Sequence, residues 1–245
     1  MSHTEKTENR STAVPQAPRG QACAAGGCSP RWLILLGGDL DENFLCGLLV
    51  RRSFDRIVLT DGAIRHAGPC GITPTDLVGD FDTASRAAAE HLAQACRARL
   101  HLVSPIKDDT DSELAVRLAV SEGAGSITVT GALGGRADHA LANILLLQIP
   151  FAAGIPAEIL EEKNRITLLE GERSFRREDH EGEYLSFFPL HGSACGVTLR
   201  GFKYPLEEAD LSPERPTLCV SNEITAPEAY CRVRDGVLIC METRD

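Results

Sequence analysis

Long apolar runs are missing from this chain. The longest, Ile144–Leu147 with its flanks, falls far short of the roughly 20 residues a membrane-spanning helix needs. Aromatics are scarce at 5%, but hydrophobic residues make up 43%, which fits a folded globular protein better than a disordered or membrane-embedded one. An excess of basic residues is also missing. The formal net charge is −10, which opposes nucleic-acid binding, since that needs a basic face. The same charge means that a polyphosphate ligand would have to arrive with cations. Cys-x-x-Cys is absent although there are nine cysteines. Odd in number and scattered, they argue against a zinc site or a disulfide framework and fit a reducing cytoplasm. Cys219, between Leu218 and Val220, reads as a small core residue. Neither Gly-Lys-Ser/Thr of a P-loop nor Gly-x-Gly-x-x-Gly occurs at the glycine-rich turns.

The polar stretch from Met1 to Pro30 reads as a disordered leader, outside the fold. With 245 residues in all, the remainder suffices for one large domain or two modest ones. From Arg31 to about Gln148, strands and helices alternate. Trp32–Leu36, Asp55–Thr60, Leu77–Val78, Leu100–Val103 and Ser126–Thr130 read as strands. Asp41–Arg52, Ala84–Ala98, Asp111–Glu122 and Ala137–Gln148 read as helices, the last with a long apolar face. This pattern predicts parallel βαβ units and a sheet covered on both faces. After Pro156 short runs recur between turn signals: Glu158–Leu160, Arg165–Leu169, Tyr184–Phe188, Val197–Leu199, Thr217–Val220, Tyr230–Val233 and Val237–Met241. They predict a small antiparallel β-sandwich, with Asp235-Gly236 as a hairpin turn. The expected fold class is thus α/β: a Rossmann-like parallel-sheet domain over 31–168, followed by a sandwich over 169–245.

Acids and glycines concentrate at the carboxyl ends of the expected parallel strands, where open α/β sheets bind their ligands. Gly37-Gly38-Asp39 follows the first strand, Asp61-Gly62 the second, and Asp80 and Asp82 the third. Residues two apart on an extended segment point the same way, so Asp80 and Asp82 can reach one cation, and oxygen ligands suit magnesium. The bland alternative is that Asp82 or Thr83 caps the next helix. In Lys107-Asp108-Asp109-Thr110-Asp111, Thr110 or Asp111 can cap a helix, but the whole acidic group exceeds what a cap needs. Carboxylates so close repel unless a cation joins them. Asp111 is a candidate metal ligand or base, and Lys107 a candidate phosphate contact. In Gly131-Ala132-Leu133-Gly134-Gly135-Arg136, Gly134 and Gly135 let backbone N–H groups approach phosphate, and Arg136 offers a planar fork. Asn143 reads as a buried polar brace.

Taken in order, Asp61-Gly62, Gly79-Asp80-Phe81-Asp82-Thr83, Thr110-Asp111 and Gly131 through Asn143 resemble the thiamine pyrophosphokinase family. So do Gly201-Phe202-Lys203-Tyr204-Pro205-Leu206 and Val220-Ser221-Asn222-Glu223 in the second half. The resemblance implies Mg2+-dependent transfer of pyrophosphate from ATP to the hydroxyethyl oxygen of thiamine, with release of AMP. It implies magnesium on Asp80, Asp82 and Asp111, Asp61 and Asp138 lining the same site, and Arg136 on phosphate. Ser221 and Asn222 would help form a thiamine pocket shared between the subunits of a homodimer. The alternatives are a pyrophosphokinase acting on another heterocyclic alcohol, such as a pterin, and a non-catalytic nucleotide-binding dimer. The chain departs from the family pattern at Ala63, where a second glycine is common. It also lacks an aromatic in Ile224-Thr225-Ala226-Pro227.

Overall fold

The computed structural model describes residues 29–103, 109–180 and 182–245. The readings made above for Lys107, Asp108 and the leader up to residue 28 fall outside these residues. Six strands alternate with helices: β1 (Arg31–Leu35), α1 (Glu42–Arg51), β2 (Arg56–Thr60), β3 (Asp76–Gly79), α2 (Thr83–Cys96), β4 (Arg99–Leu102), α3 (Asp111–Ser121), β5 (Ser126–Thr130), α4 (Ala137–Leu146), α5 (Gln148–Ala152) and β6 (Ala157–Leu160). A 3₁₀ turn, Asp61–His66, follows β2. The helices begin where short polar side chains can accept the first free N–H groups. Asp41 accepts from Phe44 N at the start of α1, and Thr110 accepts from Glu113 N at the start of α3.

Strands β4-β3-β2-β1-β5-β6 pair in parallel. Side chains of β1 alternate between two cores. Trp32, Ile34 and Leu36 pack with α3, α4 and α5 residues on one face, whereas Leu33 and Leu35 join Leu45 and Leu48 of α1 on the other. Burial on both faces is why this strand is apolar throughout.

The second half holds β7 (Asn164–Leu169), β8 (Glu172–Arg176), β9 (Tyr184–Pro189), β10 (Ala194–Arg200), β11 (Leu206–Leu211), β12 (Glu228–Arg232) and β13 (Leu238–Thr243). β7, β13 and β9 extend the parallel sheet antiparallel from β6, giving nine strands, and β11-β10-β12-β8 form a separate sheet. The extension is covered on both sides. Ile166, Leu168 and Ile239 join the core of the first half, while Leu169, Leu238 and Cys240 face the sandwich interior. There Phe175, Phe187 and Phe202 meet edge to face, with centroids 6.0–6.3 Å apart, and Cys219 is buried beside them as expected.

Two expectations are corrected, and two further features were not anticipated. Asp235-Gly236 is not a hairpin turn, because β12 and β13 lie in different sheets; the turn carries the chain across the sandwich. Thr217–Val220 is turn, and the strands at β8 and β11 were not anticipated. β8 and β11 alternate charged residues with few apolar ones, so a short-run search passes over them. Lastly, no residue of α4 is fully buried, and Leu141 and Leu145 are 59% and 39% exposed.

At the amino end of the sheet, opposite the acid-rich loops, Asp76 is fully buried within an ionic cluster. It accepts from Arg56 at 2.5 Å, Arg99 at 2.8 Å and Thr75 at 2.7 Å, with His101 at 2.9 Å. Burial alone would raise its carboxyl, but these hydrogen bonds prevail and hold it at about 2. A depressed folded-state value gives stability that is present above the ordinary carboxylate range and lost as pH falls through about 2. Asp76→Asn is expected to cost about 3 kcal/mol at neutral pH. The gap from wild type should narrow between about pH 4 and pH 2, as urea titrations across that range would show. A gap independent of pH would contradict this role.

Candidate active site

Strand order reverses between β1 and β5, the switch point at which doubly wound sheets open a crevice. The loops leaving these strands touch backbone to backbone. Leu36 N donates to Thr130 O at 2.8 Å and Gly38 N to Gly131 O at 2.9 Å. A Cβ on Gly38 would sit 2.4 Å from Gly131 O, and one on Gly131, at φ +70°, would sit 2.4 Å from Leu36 O. Gly37 and Gly62 also approach closely, 2.9 Å from a built Cβ to the other Cα. Only glycine permits this.

Buried Glu161 holds the second loop. It accepts from Ala132 N at 2.7 Å, Leu133 N at 3.3 Å and the Thr130 hydroxyl at 3.3 Å. Burial raises its carboxyl, against those same donors. Asn143 donates to Ala132 O at 2.8 Å from α4, the brace that its position suggested. On the other loop, Arg65 donates to Gly37 O at 3.2 Å and Gly38 O at 2.8 Å.

Above this floor four carboxylates from neighbouring strand ends converge. The Asp61 carboxyl is raised, first by burial, against a hydrogen bond from the Ser85 hydroxyl at 3.4 Å, and then by the charges of Asp80, Asp111 and Asp82. A Cβ on Gly79 would lie 3.0 Å from Asp61 Cβ and 3.3 Å from Asp111 Oδ2, so this glycine leaves room for both acids. Asp39 closes one side against Gly134, whose built Cβ lies 3.0 Å from the Asp39 Cβ. The four sequence-derived acids do therefore gather, but not in the way expected. Phe81 sits at φ +40° with its ring buried, so Asp80-Phe81-Asp82 is not an extended segment. Asp82 accepts from Ser85 N at 3.0 Å and so also caps α2; the cap and site readings coexist.

Among the described residues, no three His, Cys, Asp or Glu side chains are grouped to hold a metal by themselves. Magnesium takes one or two carboxylates and completes its shell with water and substrate phosphate. Beyond burial, the charges of Asp80, Asp111 and Asp82 raise Asp61, and a cation relieves that part, so the donor set fits this ion.

Arg136 is exposed and closed on Asp138, with Nε and Nη2 at 3.1 and 2.6 Å from its two oxygens. The guanidinium, with a further hydrogen bond from His139 N, holds the Asp138 carboxyl at about 2. A phosphate would have to compete with that carboxylate for the fork. Gly134 and Gly135, at φ +91° and +66°, leave the turn before α4 exposed.

In the sandwich, Ser221 is exposed at φ +54° and its N–H donates to Ser186 Oγ at 2.9 Å. Asn222 is buried. Its amide oxygen accepts from Tyr204 N at 2.9 Å and Glu223 N at 3.0 Å, and its nitrogen donates to Tyr204 O at 2.8 Å. Three of its four hydrogen-bonding positions are thus taken, and it acts by holding the 201–204 loop. That loop presents Tyr204, 57% exposed, with the Lys203 ammonium 5.6 Å from its ring. Asp39 was among the strand-end acids read from the sequence, whereas Arg65, Ser85, Glu161 and Tyr204 were given no role there, and only contact across the fold singles them out. Gly131→Ala is expected to cost more than about 2 kcal/mol, since it combines positive φ with a backbone clash. Thermal unfolding within 1 °C of wild type would contradict the close approach.

Two family models match: the thiamin pyrophosphokinase catalytic domain over residues 49–159 and the thiamin pyrophosphokinase vitamin B1 binding domain over 173–238. Thiamine pyrophosphokinase of Bacillus subtilis is 33% identical over 176 residues, covering 71% of this chain and 81% of the relative. The crystal structure of thiamine pyrophosphokinase from Bacillus subtilis superposes with a TM-score of 0.75 at 28% identity, covering 88% of this chain and 99% of that one. The enzyme from Geobacillus thermodenitrificans gives 0.74 at 30% identity, covering 88% and 98%. With both halves matched and the acids gathered at the switch point, the chain belongs to the thiamine pyrophosphokinase family.

Proposed function

We propose that this chain is a magnesium-dependent thiamine pyrophosphokinase, transferring the terminal pyrophosphoryl group of ATP to the hydroxyethyl oxygen of thiamine and releasing AMP. The observation that carries this is the convergence of Asp61, Asp80, Asp82 and Asp111 over a floor of closely packed glycine backbone. Family membership in both halves supplies the substrates. Residues 31–168 form the catalytic domain and 169–245 the thiamine-binding domain.

Asp80, Asp82 and Asp111 would hold magnesium, which when bound neutralises the polyphosphate oxygens. The exposed backbone at Gly37, Gly38, Gly134 and Gly135 receives phosphate oxygens, with Thr110 and Asp138 at the rim and Lys107 assigned from sequence alone. Arg136 turns from Asp138 to the phosphate as charge develops there. The Asp111 carboxylate, next to Gly79, orients the thiamine hydroxyl and takes its proton.

Thiamine lies against Ser221 and Tyr204, with Asn222 fixing the loop that carries the tyrosine. Tyr204 supplies the aromatic face absent from 224–227, and its ring suits a cationic thiazolium. The pocket is shared across a homodimer, which the exposed apolar residues of α4 support. No helix among the described residues is long and apolar enough to cross a membrane.

Product chromatography with ATP, magnesium and thiamine is expected to show thiamine diphosphate and AMP together. AMP release with a pterin alcohol but not with thiamine would overturn the assignment. Asp82→Asn keeps a helix-capping side chain, so the midpoint of unfolding is expected to hold while kcat falls at least ~100-fold. Near-normal turnover at saturating magnesium would remove Asp82 from the site. Tyr204→Ala is expected to raise the KM for thiamine roughly 3- to 10-fold, and Ser221→Ala to raise it several-fold, both with little change for ATP. Equal shifts for both substrates would contradict the pocket.

A further inference from the structure

Spacing along the chain gives no reason to pair any of the nine cysteines, but the fold brings two of them together. Cys46 on α1 and Cys70, in the turn that follows the 3₁₀ segment, stand with their sulfurs 2.6 Å apart. A disulfide bond is about 2.05 Å long, so closure needs a shift of about half an ångström. Two thiolates sharing one tetrahedral zinc would stand about 3.8 Å apart, given Zn–S bonds of about 2.3 Å. Moreover, although His66 and Glu42 are close by, no metal-binding group of three forms among the described residues. The spacing favours a bond between the sulfurs over a shared ion.

The surroundings let one partner move and hold the other still. Cys46 is carried by a helix pinned through fully buried Leu45 and Leu48. Cys70 lies in the turn 67–71, where a Cβ built on Gly68 or Gly71 meets no atom within 4 Å and Gly71 is at φ +61°. Both cysteines are half-buried and so within reach of small oxidants. The sandwich cysteines are not comparable. Cys219, Cys231 and Cys240 are buried, and burial pushes Cys219 and Cys240 up to about 12. Cys96 and Cys195 are half-buried, but neither has a cysteine contact among the hydrogen bonds of the described residues.

We propose that Cys46 and Cys70 form a reversible disulfide that locks residues 61–72 onto α1. Hydrogen peroxide is a sufficient oxidant. One sulfur, as thiolate, attacks the peroxide O–O bond and becomes a sulfenic acid, releasing water once protonated. The second sulfur then displaces the sulfenic oxygen as a second water. Two electrons pass from the sulfurs to the peroxide, and a dithiol reductant reverses the change. Burial, with the hydrogen bond to Cys46, pushes the Cys70 thiol up to about 12. The locked segment contains Asp61 and Arg65, which grips the Gly37-Gly38 loop. Its side chains already meet α1 through His66 against Glu42 (3.3 Å), Cys70 Sγ against Glu42 O (3.6 Å) and the Cys46 sulfur, and Ala63, Ala67 and Ile72 share a core with Leu45 and Leu48. The bond therefore adds a covalent tie between the helix and one wall of the site.

The test is to titrate the full-length protein with peroxide, block free thiols under denaturing conditions and map the peptides by mass spectrometry. A peptide linking Cys46 to Cys70, lost on dithiothreitol treatment, is expected before Cys96 or Cys195 is consumed. The oxidised protein is expected to melt roughly 5–10 °C higher than the reduced one, and this rise is expected to vanish in both Cys46→Ser and Cys70→Ala. Consumption of Cys96 or Cys195 while Cys46 and Cys70 are still alkylated separately would overturn the proposal. So would an oxidative rise in melting temperature that persists in either variant.

Discussion

The contact on which the site depends is between two stretches of backbone. The chain leaving β1 and the chain leaving β5 meet at Gly38 and Gly131, closer than any side chain would permit. Two parallel strands at a switch point can open a crevice only if the loops above them are thin. Three interactions keep these loops thin and in place: the Gly38–Gly131 hydrogen bond, the Arg65 grip on Gly37 and Gly38, and the buried Glu161 carboxylate. The acids around this floor then stand on rigid strand ends.

Crowding of like charge is the second constraint. Asp61 carries a raised carboxyl because burial and three neighbouring aspartates all oppose its ionisation, with Ser85 as a partial counterweight. A folded protein retains such an arrangement where a cation or a cationic ligand relieves it. Asp76 shows the opposite case at the other end of the same sheet. It is also an aspartate and is more deeply buried, yet it is hydrogen-bonded by Arg56 and Arg99 and held ionised. One carboxyl is raised and the other lowered, and the neighbours decide which.

The two halves are also less separate than their textures suggest. β7, β13 and β9 continue the parallel sheet, so one face of the sandwich is the edge of the catalytic sheet. The shared sheet joins the two halves by a continuous hydrogen-bonded ladder from β6 through β7 to β13 and β9.

The alternation of strands and helices from Arg31, the two-layer character after Pro156 and the acids at strand ends were all legible in the sequence, because each is set by local periodicity or by residue type at a turn. Asp82 as a cap and Asn143 as a brace were legible for the same reason. Other features required the fold. β8 and β11 carry no apolar run, so pairing alone makes them strands. Asp235-Gly236 has hairpin chemistry, yet the chain crosses between sheets there, because sheet membership is set by packing partners far away. Glu161, Arg65 and Tyr204 gain their roles from contacts between distant segments. The sequence by itself determined which acids and glycines stand at the carboxyl ends of the parallel strands. The tertiary structure alone decided that Asp80-Phe81-Asp82 is not extended, that Asn222 turns inward while Tyr204 faces out, and that two unrelated cysteines meet. Those outcomes follow from what lies across the fold, and no local pattern encodes it.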